Sequence, residues 1–359
     1  MDRPRINRLS VKNFACIKDA TFDFAQLSAL IGPNDSGKSM VLRALRALTL
    51  YVAGREAIGR AGDRLVLEEL LKTVSREEMR LEVTSGSETL RIDASPGQGI
   101  EWSEYAAKGQ ESLSPLGQKR PWTAGSSGLK EALRNVHSAA SGSLLVRLEP
   151  DSLRRPSSLI LPGQAIALDD PHQGLAGILD AIRDRGDGSF EAIREQLCAL
   201  FPAVKYLQLS PISDSKKVLQ IELTNGARVP ANLLSEGILY FLAFAAIAKI
   251  ERPPLLLIEE PENGLHPARI ADVMEVLRKI SETSQVVIAT HSPLVVNAMK
   301  GDEVIVLTRS ADTGTQARLL KDTFNYEERS RVYENGELWL SYANGRDEHD
   351  LLTKPETAL

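Results

Sequence analysis

One eight-residue segment constrains this chain more than any other part of its sequence. Residues 32–39 read GPNDSGKS, which fits the pattern GxxxxGK[ST] without a gap. The strand-like segment ATFDFAQLSALIG runs into it, and residues 38–52 follow with the apolar spacing of a helix. Bracketing glycines let successive backbone N–H groups face phosphate oxygens, and the following helix contributes its positive end. The segment therefore predicts a phosphate-binding P-loop between a buried strand and a helix.

Two side chains of this loop carry specific chemistry. Lys38 is expected to reach the β- and γ-phosphates of a bound nucleotide, and the Ser39 hydroxyl is expected to bind Mg²⁺. The residues predicted to contact the nucleotide at this loop are Gly32, Asn34, Ser36, Gly37, Lys38, Ser39 and Met40.

Two adjacent carboxylates follow a second apolar run. Residues 255–267 read LLLIEEPENGLHP, so Glu259 and Glu260 emerge where a buried strand ends. Ligands bind at strand ends in open α/β sheets, and adjacent strand residues point to opposite faces. We assign Glu259 to Mg²⁺, directly or through water, and Glu260 to the role of general base or water-orienting group. The alternative is an acidic turn exposed to solvent.

A histidine follows a third apolar run. Residues 286–291 read VVIATH, which predicts that His291 lies at the end of a buried strand. At the same sheet edge as the carboxylates, an imidazole is positioned to contact the γ-phosphate and to sense its loss. The alternative is a structural histidine.

The segment LLSEGILYFLAFAA at 233–246 predicts an apolar helix that begins near a serine. Ser235 fits the N-cap of that helix, which is a purely structural role. Because a helix N-terminus with a serine hydroxyl is also an anion site, Ser235 and Gly237 are candidate phosphate ligands. The residues alone leave both interpretations open.

The rest of the pattern predicts an α/β protein of three parts. Residues 5–31 alternate as strands do, 65–74 read as a helix, and 93–128 are rich in Gly, Ser and Pro, which predicts an irregular insertion. After residue 230, helices and strands alternate as in a parallel sheet covered by helices. The predicted parts are a lobe with the P-loop at 1–92, an inserted irregular and helical region at 93–204, and a second lobe at 205–359 with the carboxylates, the histidine and the tail.

Net charge does not indicate a nucleic-acid binder. The 359 residues carry a formal charge of −5, whereas such binders are often basic. A local basic face is compatible with an acidic total, and the alternative is a solvated strand edge. The basic residues near the start that would form such a face are Arg3, Arg5, Arg8, Lys12 and Lys18.

Cysteine use and hydropathy predict a cytoplasmic protein without membrane contact. Cys16 and Cys198 are far apart and lack metal-ligand spacing, which fits a reducing compartment. The first residues lack the apolar region of a signal peptide. The longest apolar run, 238–250, is shorter than the roughly 18 residues of a membrane span and predicts a buried helix.

In this order, the four segments resemble the motifs of ABC-type ATPases. GPNDSGKS is similar to the Walker A loop, LLSEG to the signature motif, LLLIEEPE to Walker B and ATHS to the switch-histidine segment. The opening INRLSVKNFACIKDATFDF, the segment EEPENGLHP and the tail VYENGELWLSYANG resemble the RecF/SMC/OLD-like branch, which includes AAA family ATPases associated with bacterial defence. The likeness covers about residues 1–50 and 205–345.

The resemblance implies an ABC-ATPase head with a mixed β-sheet around the P-loop and a helical or irregular inserted subdomain. It implies ATP as the substrate, hydrolysed to ADP and phosphate, with Mg²⁺ as cofactor. It also implies a head-to-tail homodimer or higher homo-oligomer that ATP clamps, in which Ser235 and Gly237 complete the partner's site. Glu259 departs from the usual Walker B aspartate by one methylene, which favours slow turnover.

Two functions fit this resemblance. The first is an ATPase that regulates or scaffolds a separate effector, a nuclease or toxin, in bacterial anti-phage defence. The tail resemblance favours it, as does the short stretch after residue 310, in which no nuclease domain is expected. The alternative is a RecF-like DNA-repair or DNA-binding clamp, with the basic N-terminal residues near DNA. Length and tail disfavour a transporter subunit, and the lack of an acceptor or lid motif disfavours a kinase.

Overall fold

The chain divides into two compact units in the computed structural model. The division into three parts made from the sequence stays a prediction. The helix predicted at 65–74 lies outside the described residues. The first unit comprises Met1–Leu145, Pro253–Glu260 and Ser281–Leu359, and the second comprises Val146–Arg252 and Pro261–Ile280. The structure describes residues 4–53, 78–96, 100–109, 112–115, 120–121, 133–161, 174–250, 253–310, 312–323 and 325–342.

An antiparallel sheet forms much of the first unit. Its strands are β1 (Arg8–Phe14), β2 (Ile17–Asp23), β4 (Met79–Ser85), β5 (Glu88–Pro96), β6 (Ile100–Lys108), β7 (Ser114–Pro115) and β8 (Arg120–Pro121). Their order is β2-β1-β4-β5-β6-β7, and β8 also pairs with β6. Every second residue of β4 is buried, which is the period-two pattern of a sheet with one covered face.

The covered face of this sheet shares one hydrophobic core with helix α1 (Lys38–Ala53). Leu9 and Phe22 from the sheet and Leu45 and Leu48 from α1 are all completely buried. Each such side chain contributes about 2 kcal/mol through removal of its apolar surface from water. The burial fixes α1, and with it the loop at the N-terminus of α1.

Part of the segment predicted to be irregular is a regular strand. Residues Ile100–Lys108 form β6, which pairs antiparallel with β5 and places Arg91 opposite Tyr105. The Arg91 guanidinium stacks over the Tyr105 ring, with its central carbon 5.0 Å from the ring centroid. Cross-strand packing of this kind outweighs the local signal of the surrounding glycines and prolines. The irregular assignment is therefore wrong for these residues.

A six-stranded mixed sheet carries the P-loop. Its strands are β3 (Leu27–Ile31), β9 (Ser143–Arg147), β14 (Leu255–Glu259), β15 (Gln285–Thr290), β16 (Val304–Ser310) and β17 (Gly314–Leu319). Their order is β17-β16-β3-β15-β14-β9. Strands β16, β3, β15 and β14 run parallel, and β17 runs antiparallel to β16. Every residue of β3 and β15 is buried, as expected for strands covered on both faces.

The second unit combines a small antiparallel sheet with helices. Its strands are β10 (Ser157–Ser158), β11 (Val204–Ser213), β12 (Lys216–Leu223) and β13 (Arg228–Pro230), in the order β10-β12-β11 with β13 also paired to β12. Helix α6 (Glu236–Ile247) is buried from Leu239 to its last residue, so the apolar run predicted as a buried helix is one. Within the described part of the chain, no helix has the length and apolarity needed to cross a membrane.

Eight further α-helices lie within the described residues. They are α2 (Arg134–Ala140), α3 (Pro150–Arg154), α4 (Leu175–Asp184), α5 (Ser189–Leu200), α7 (Pro267–Ser281), α8 (Pro293–Asn297), α9 (Tyr326–Arg329) and α10 (Asn335–Tyr342). Helices and strands alternate along the chain from α6 to β16, as the sequence predicts.

Candidate nucleotide-binding site

The parallel register brings the predicted site residues of the first unit to one edge of the mixed sheet. Thr290 of β15 lies opposite Ile31 of β3, and Ala289 lies opposite Glu259 of β14. The residues that follow these positions are Gly32, Glu260 and His291, so they emerge side by side where the parallel strands end. This edge is where open α/β sheets bind ligands.

Strand β16 shapes the beginning of the P-loop. A Cβ atom on Gly32 would overlap the carbonyl oxygen of Leu307 and would lie 2.7 Å from the Ser36 hydroxyl oxygen. Gly37 has a φ of +103°, a conformation that side chains with a Cβ rarely adopt. Both glycines of the GxxxxGK pattern are therefore required by close approach or by backbone conformation.

Two side chains from the neighbouring strands hold the loop. The Arg309 guanidinium donates to the carbonyl oxygen of Asp35 at 3.3 Å, and the Thr315 hydroxyl donates to the carbonyl oxygen of Ser36 at 3.0 Å. Asp35 has a φ of +67°, which aspartate tolerates better than most residues. These contacts fix the loop from β16 and β17.

The loop fits a phosphate group. The Lys38 ammonium donates to the carbonyl oxygens of Gly32 at 2.7 Å and Pro33 at 2.9 Å, so its charge lies at the loop. The Ser36 hydroxyl is buried, and the described residues give it no hydrogen-bond partner. Buried polar groups normally have a partner. Ser36 is not among the described residues that line the pocket beside the loop, so its contact with a nucleotide stays a prediction.

An open pocket of about 700 Å³ lies beside the loop. It brings the loop and the strand-end carboxylate Glu260 to one space. The predicted residues that line it are Asn34, Gly37, Lys38, Ser39, Met40 and Glu260. It is also lined by Ala15, Cys16, Asp35, Arg43 and Arg309, which sequence reasoning did not select.

Some of the missed residues had a detectable signal. Arg43 lies four residues after Ser39 on α1, which is one helical turn and the same face. Arg309 is near the carboxyl end of β16, next to β3, where polar strand-end residues meet ligands. Cys16 had no such signal, because only the β1–β2 pairing brings it to the loop. Both Cys16 and Cys198 are half-buried and not disulfide-bonded.

Glu260 has an unusual backbone conformation and a histidine neighbour. Its φ is +48°, in the left-handed region, while its N–H donates to the Ala289 carbonyl oxygen at 2.8 Å. The His291 Nδ1 atom lies 3.6 Å from Glu260 Oε1, and the two side chains are 54% and 41% exposed. A non-glycine residue in this region costs about 1 to 2 kcal/mol, and such strain is concentrated at functional sites.

Glu259 takes a different place from its neighbour. It is the half-buried last residue of β14 and is not among the described residues that line the pocket. Within the described ranges, no group of three or more His, Cys, Asp or Glu side chains is arranged to hold a metal. A Mg²⁺ ion held by one hydroxyl and one carboxylate together with phosphate oxygens is compatible with this donor set. The assignment of Glu259 to the metal stays a prediction.

The signature segment belongs to the second unit. Ser235 occupies the N-cap position of α6, and its side chain makes no capping hydrogen bond. Ser235 is exposed and Gly237 is half-buried. The hydroxyl is therefore not used by the amides of its own helix, which leaves the anion-binding interpretation of Ser235 and Gly237 as a prediction.

The loop that follows the carboxylates packs on this helix within the second unit. Gly264 has a φ of +70°, and a Cβ atom there would overlap Oε2 of Glu236 and lie 3.1 Å from Cε2 of Tyr240. Only a glycine permits this approach between the ENGLHP loop and the first turn of α6.

Replacing Gly264 by alanine should therefore lower the free energy of unfolding more than a conformationally matched change. Gly226 is the control, because its φ is +83° and no atom lies within 4 Å of the position that a Cβ would take there. We expect Gly226→Ala to cost about 1 kcal/mol through backbone strain, and Gly264→Ala about 2 kcal/mol more through the overlap. Urea denaturation measures both, and equal losses would contradict the packing argument.

The mixed sheet carries a P-loop, a strand-end carboxylate and a histidine at one edge. This arrangement defines an ABC-type ATPase head. Residues 116–297 match the family model described as "AAA domain, putative AbiEii toxin, Type IV TA system", just over half of the chain. Residues 5–94 match the model described as "AAA ATPase domain". The chain belongs to this family of AAA ATPases.

Two kinds of known protein are similar to this chain. It is 45% identical over 40 residues to the OLD nuclease of Thermus scotoductus, a match that spans 11% of this chain and 8% of that protein. The SMC head bound to the C-winged helix domain of ScpA is similar in fold, with a TM-score of 0.52 and 15% identity over 88% of this chain and 97% of that one. The Pyrococcus furiosus SMC head domain with an extended coiled coil gives a TM-score of 0.48 and 15% identity, over 91% and 100% of the two chains.

Proposed function

We propose that this chain hydrolyses ATP at the P-loop pocket and works as an ATP-clamped homodimer that regulates a separate effector protein. One observation carries the hydrolysis. Glu260 lines the same pocket as Lys38 and Ser39 while its carboxylate lies 3.6 Å from the His291 imidazole. A phosphate-binding loop and a base candidate that face one space are the minimum that phosphoryl transfer to water requires.

Each residue of the pocket has a distinct role in this proposal. The loop amides and the Lys38 ammonium bind the β- and γ-phosphates and neutralise their charge. The Glu260 carboxylate accepts a hydrogen bond from the attacking water, orients it toward the γ-phosphorus and takes its proton. His291, beside Glu260, donates to the γ-phosphate and loses this contact when the phosphate leaves.

Mg²⁺ is the proposed cofactor, with Ser39 and Glu259 as its protein ligands. When bound, the ion neutralises negative charge on the transferred phosphoryl group. Glutamate is one methylene longer than aspartate, so it holds a metal or a metal-bound water at a shifted position. This departure supports slow turnover.

The exposed segment at Ser235 supports the proposed dimer. Ser235 does not cap its own helix, and α6 has twelve residues and therefore a full set of unsatisfied N-terminal amides. In a head-to-tail dimer, Ser235 and Gly237 of one chain would bind the γ-phosphate held by the other chain's P-loop. ATP would then hold two chains together, and hydrolysis would release them.

The effector role rests on the family and on the tail. The matching family model is named for a toxin of a type IV toxin–antitoxin system, and the short OLD match is to a nuclease. Since the OLD match spans 8% of that protein, its nuclease activity is not carried over to this chain. We propose a nuclease or toxin as a separate partner, and anti-phage defence in the bacterial cytoplasm as the setting.

The charge distribution gives less support to the DNA clamp. The Arg8 guanidinium is ion-paired with Asp23, with 2.6 Å between Nε and Oδ1, and Lys12 lies opposite Asp19 in the β1–β2 register. Strand β1 also lies between β2 and β4, so it is not an edge of the sheet. Acidic neighbours that offset these cations weaken a phosphate-binding face.

Affinity purification from the native host tests the proposal. The Glu260→Gln protein, tagged and isolated in Mg-ATP, should come off as a dimer with a second protein in fixed stoichiometry. Lys38→Ala is the matched control, and it should yield neither the dimer nor the second protein, because both depend on bound ATP. Native mass spectrometry gives the masses and composition.

A purified complex of different composition would favour another function. A dimer without a second protein would contradict the effector role, and one that carries only DNA would favour the DNA-binding clamp. In that case DNA should raise the ATPase rate, and its affinity should fall steeply as salt concentration rises.

A further inference from the structure

The helix that follows His291 is too short to hold its own orientation. Helix α8 has five residues, Pro293–Asn297, and helices of that length are not stable without tertiary contacts. On the strand side, the Ser292 N–H donates to the Thr290 hydroxyl at 2.9 Å. On its inner face, Val295 and Val296 are buried. The far end of α8 needs a separate anchor.

Helix α10, the last helix among the described residues, supplies that anchor through two of its residues. The Gly336 N–H donates to Asn297 Oδ1 at 2.5 Å, and the Asn335 side-chain amide donates to the Met299 carbonyl oxygen at 2.8 Å. We call these contacts, made by Asn297, Asn335, Gly336 and the Met299 carbonyl, the α8–α10 clasp. The first bond satisfies an amide in the first turn of α10. The second holds the backbone at Met299, two residues after the end of α8.

The clasp is closely fitted. A Cβ atom on Gly336 would overlap the Pro293 carbonyl oxygen and would lie 2.5 Å from Asn297 Oδ1, so the two helices touch at the glycine. Tyr326 donates from its hydroxyl to Asn335 Oδ1 at 3.2 Å, which orients the asparagine for its bond to Met299. The α10 residues of the clasp belong to the tail sequence ENG at 334–336. None of these three residues is among the described residues that line the P-loop pocket.

We propose that the α8–α10 clasp is a positioning element for His291, through which helix α10 sets the rate of ATP hydrolysis. The proposal rests on the proposed hydrolysis at this pocket. His291 lies between Thr290, which is fixed in β15, and Ser292, which begins α8, so any shift of α8 moves the imidazole. Helix α10 is itself held by buried Leu338 and Trp339, so the clasp ties the far end of α8 to a fixed element.

The proposal predicts an effect on turnover without an effect on the affinity for ADP. Asn297→Ala removes the acceptor of the Gly336 N–H, whereas Asn297→Asp keeps an oxygen in the same position. We expect Asn297→Ala to lower kcat about tenfold, because misplacement of a catalytic group by a fraction of an ångström has effects of this size. The Kd for ADP should stay unchanged, because ADP lacks the γ-phosphate that His291 is proposed to contact. Asn297→Asp should retain kcat within about twofold.

A double mutant separates positioning from general damage to the fold. If the clasp acts through His291, adding Asn297→Ala to a His291→Ala protein should lower kcat no further. Additive losses in kcat, or an Asn297→Ala protein with parental kcat, would overturn the proposal. Should Asn297→Ala not fold, Asn335→Asp replaces it under the same criteria. That change removes the donor to Met299, and it is compatible with the helix because aspartate suits a first turn.

The same experiment separates failure of the clasp from failure of the proposed function. A parent protein without ATPase activity, or a His291→Ala protein with parental kcat, would refute the hydrolysis mechanism itself. A parent that hydrolyses ATP and depends on His291, but not on Asn297 or Asn335, would refute the clasp alone.

Discussion

Replacing Glu260 by glutamine should lower kcat for ATP about 10²- to 10³-fold while ATP still binds with parental affinity. Glutamine has the shape of glutamate but takes no proton from water at neutral pH. The variant can therefore still orient the attacking water, but it cannot remove its proton. Glutamine also tolerates the φ of +48° about as well as glutamate, so the backbone needs no rearrangement. Steady-state phosphate release measures kcat, and equilibrium nucleotide binding measures the affinity for ATP.

The same variant should accumulate the ATP-bound dimer. If hydrolysis is what separates the two chains, a protein that binds ATP and does not cleave it stays clamped. Light scattering in Mg-ATP should then give the mass of a dimer for Glu260→Gln and a lower average mass for the parent. A parental mass distribution with stalled hydrolysis would separate the catalytic role of Glu260 from the clamp.

Two further glutamates make the Glu260 result specific. Glu282→Gln is the neutral control, since Glu282 is exposed just after the end of α7 and outside the pocket lining. Glu259→Gln should instead raise the Mg²⁺ concentration needed for half-maximal rate, because a neutral amide is a weaker ligand for a hard cation. If Glu260→Gln hydrolyses ATP at the parental rate, its assignment as base is wrong. If Glu260→Gln shows the Mg²⁺ effect and Glu259→Gln the stall, the two roles are exchanged.

The carboxylates also mark the limit of inference from sequence. The sequence predicts two adjacent acids at a strand end, because an apolar run and its termination are local features. It also predicts opposite directions for the two side chains through strand alternation. The strand ends at Glu259, however, and Glu260 leaves the strand conformation with a positive φ. Strand alternation therefore does not determine the direction of the Glu260 side chain. The positive φ of Glu260 determines it, and no local sequence pattern predicts that backbone conformation.

Local and long-range features divide in the same way elsewhere in the chain. The loop from Gly32 to Ser39 is predictable because its function resides in consecutive backbone amides. The strand at 100–108 is not, because its pairing with β5 outweighs the local signal of the surrounding glycines and prolines. The tail motif carries a family resemblance, but its contact with Asn297 becomes visible only in the fold.

Replacing Lys38 by alanine should weaken ATP binding at least about a hundredfold. A hydrogen bond to a charged group contributes about 1.5 to 3 kcal/mol, and Lys38 is expected to make such bonds to two phosphates. The ammonium also donates to the carbonyl oxygens of Gly32 and Pro33, so its loss leaves two loop acceptors without that donor. Isothermal titration with ATP measures the affinity.

The Lys38→Arg variant tests whether the positive charge is sufficient for ATP binding or whether the shape of the cation also matters. The ammonium lies close to two carbonyl oxygens, 2.7 and 2.9 Å away, and a planar guanidinium does not match a site built for a compact cation. We therefore expect arginine to restore little of the affinity although the charge is retained. Lys12→Ala, on the exposed side of β1, is the control for loss of a surface lysine and should bind ATP as the parent does. Parental affinity in Lys38→Ala would mean that ATP does not bind at this loop, and every role assigned around the pocket would fall with it.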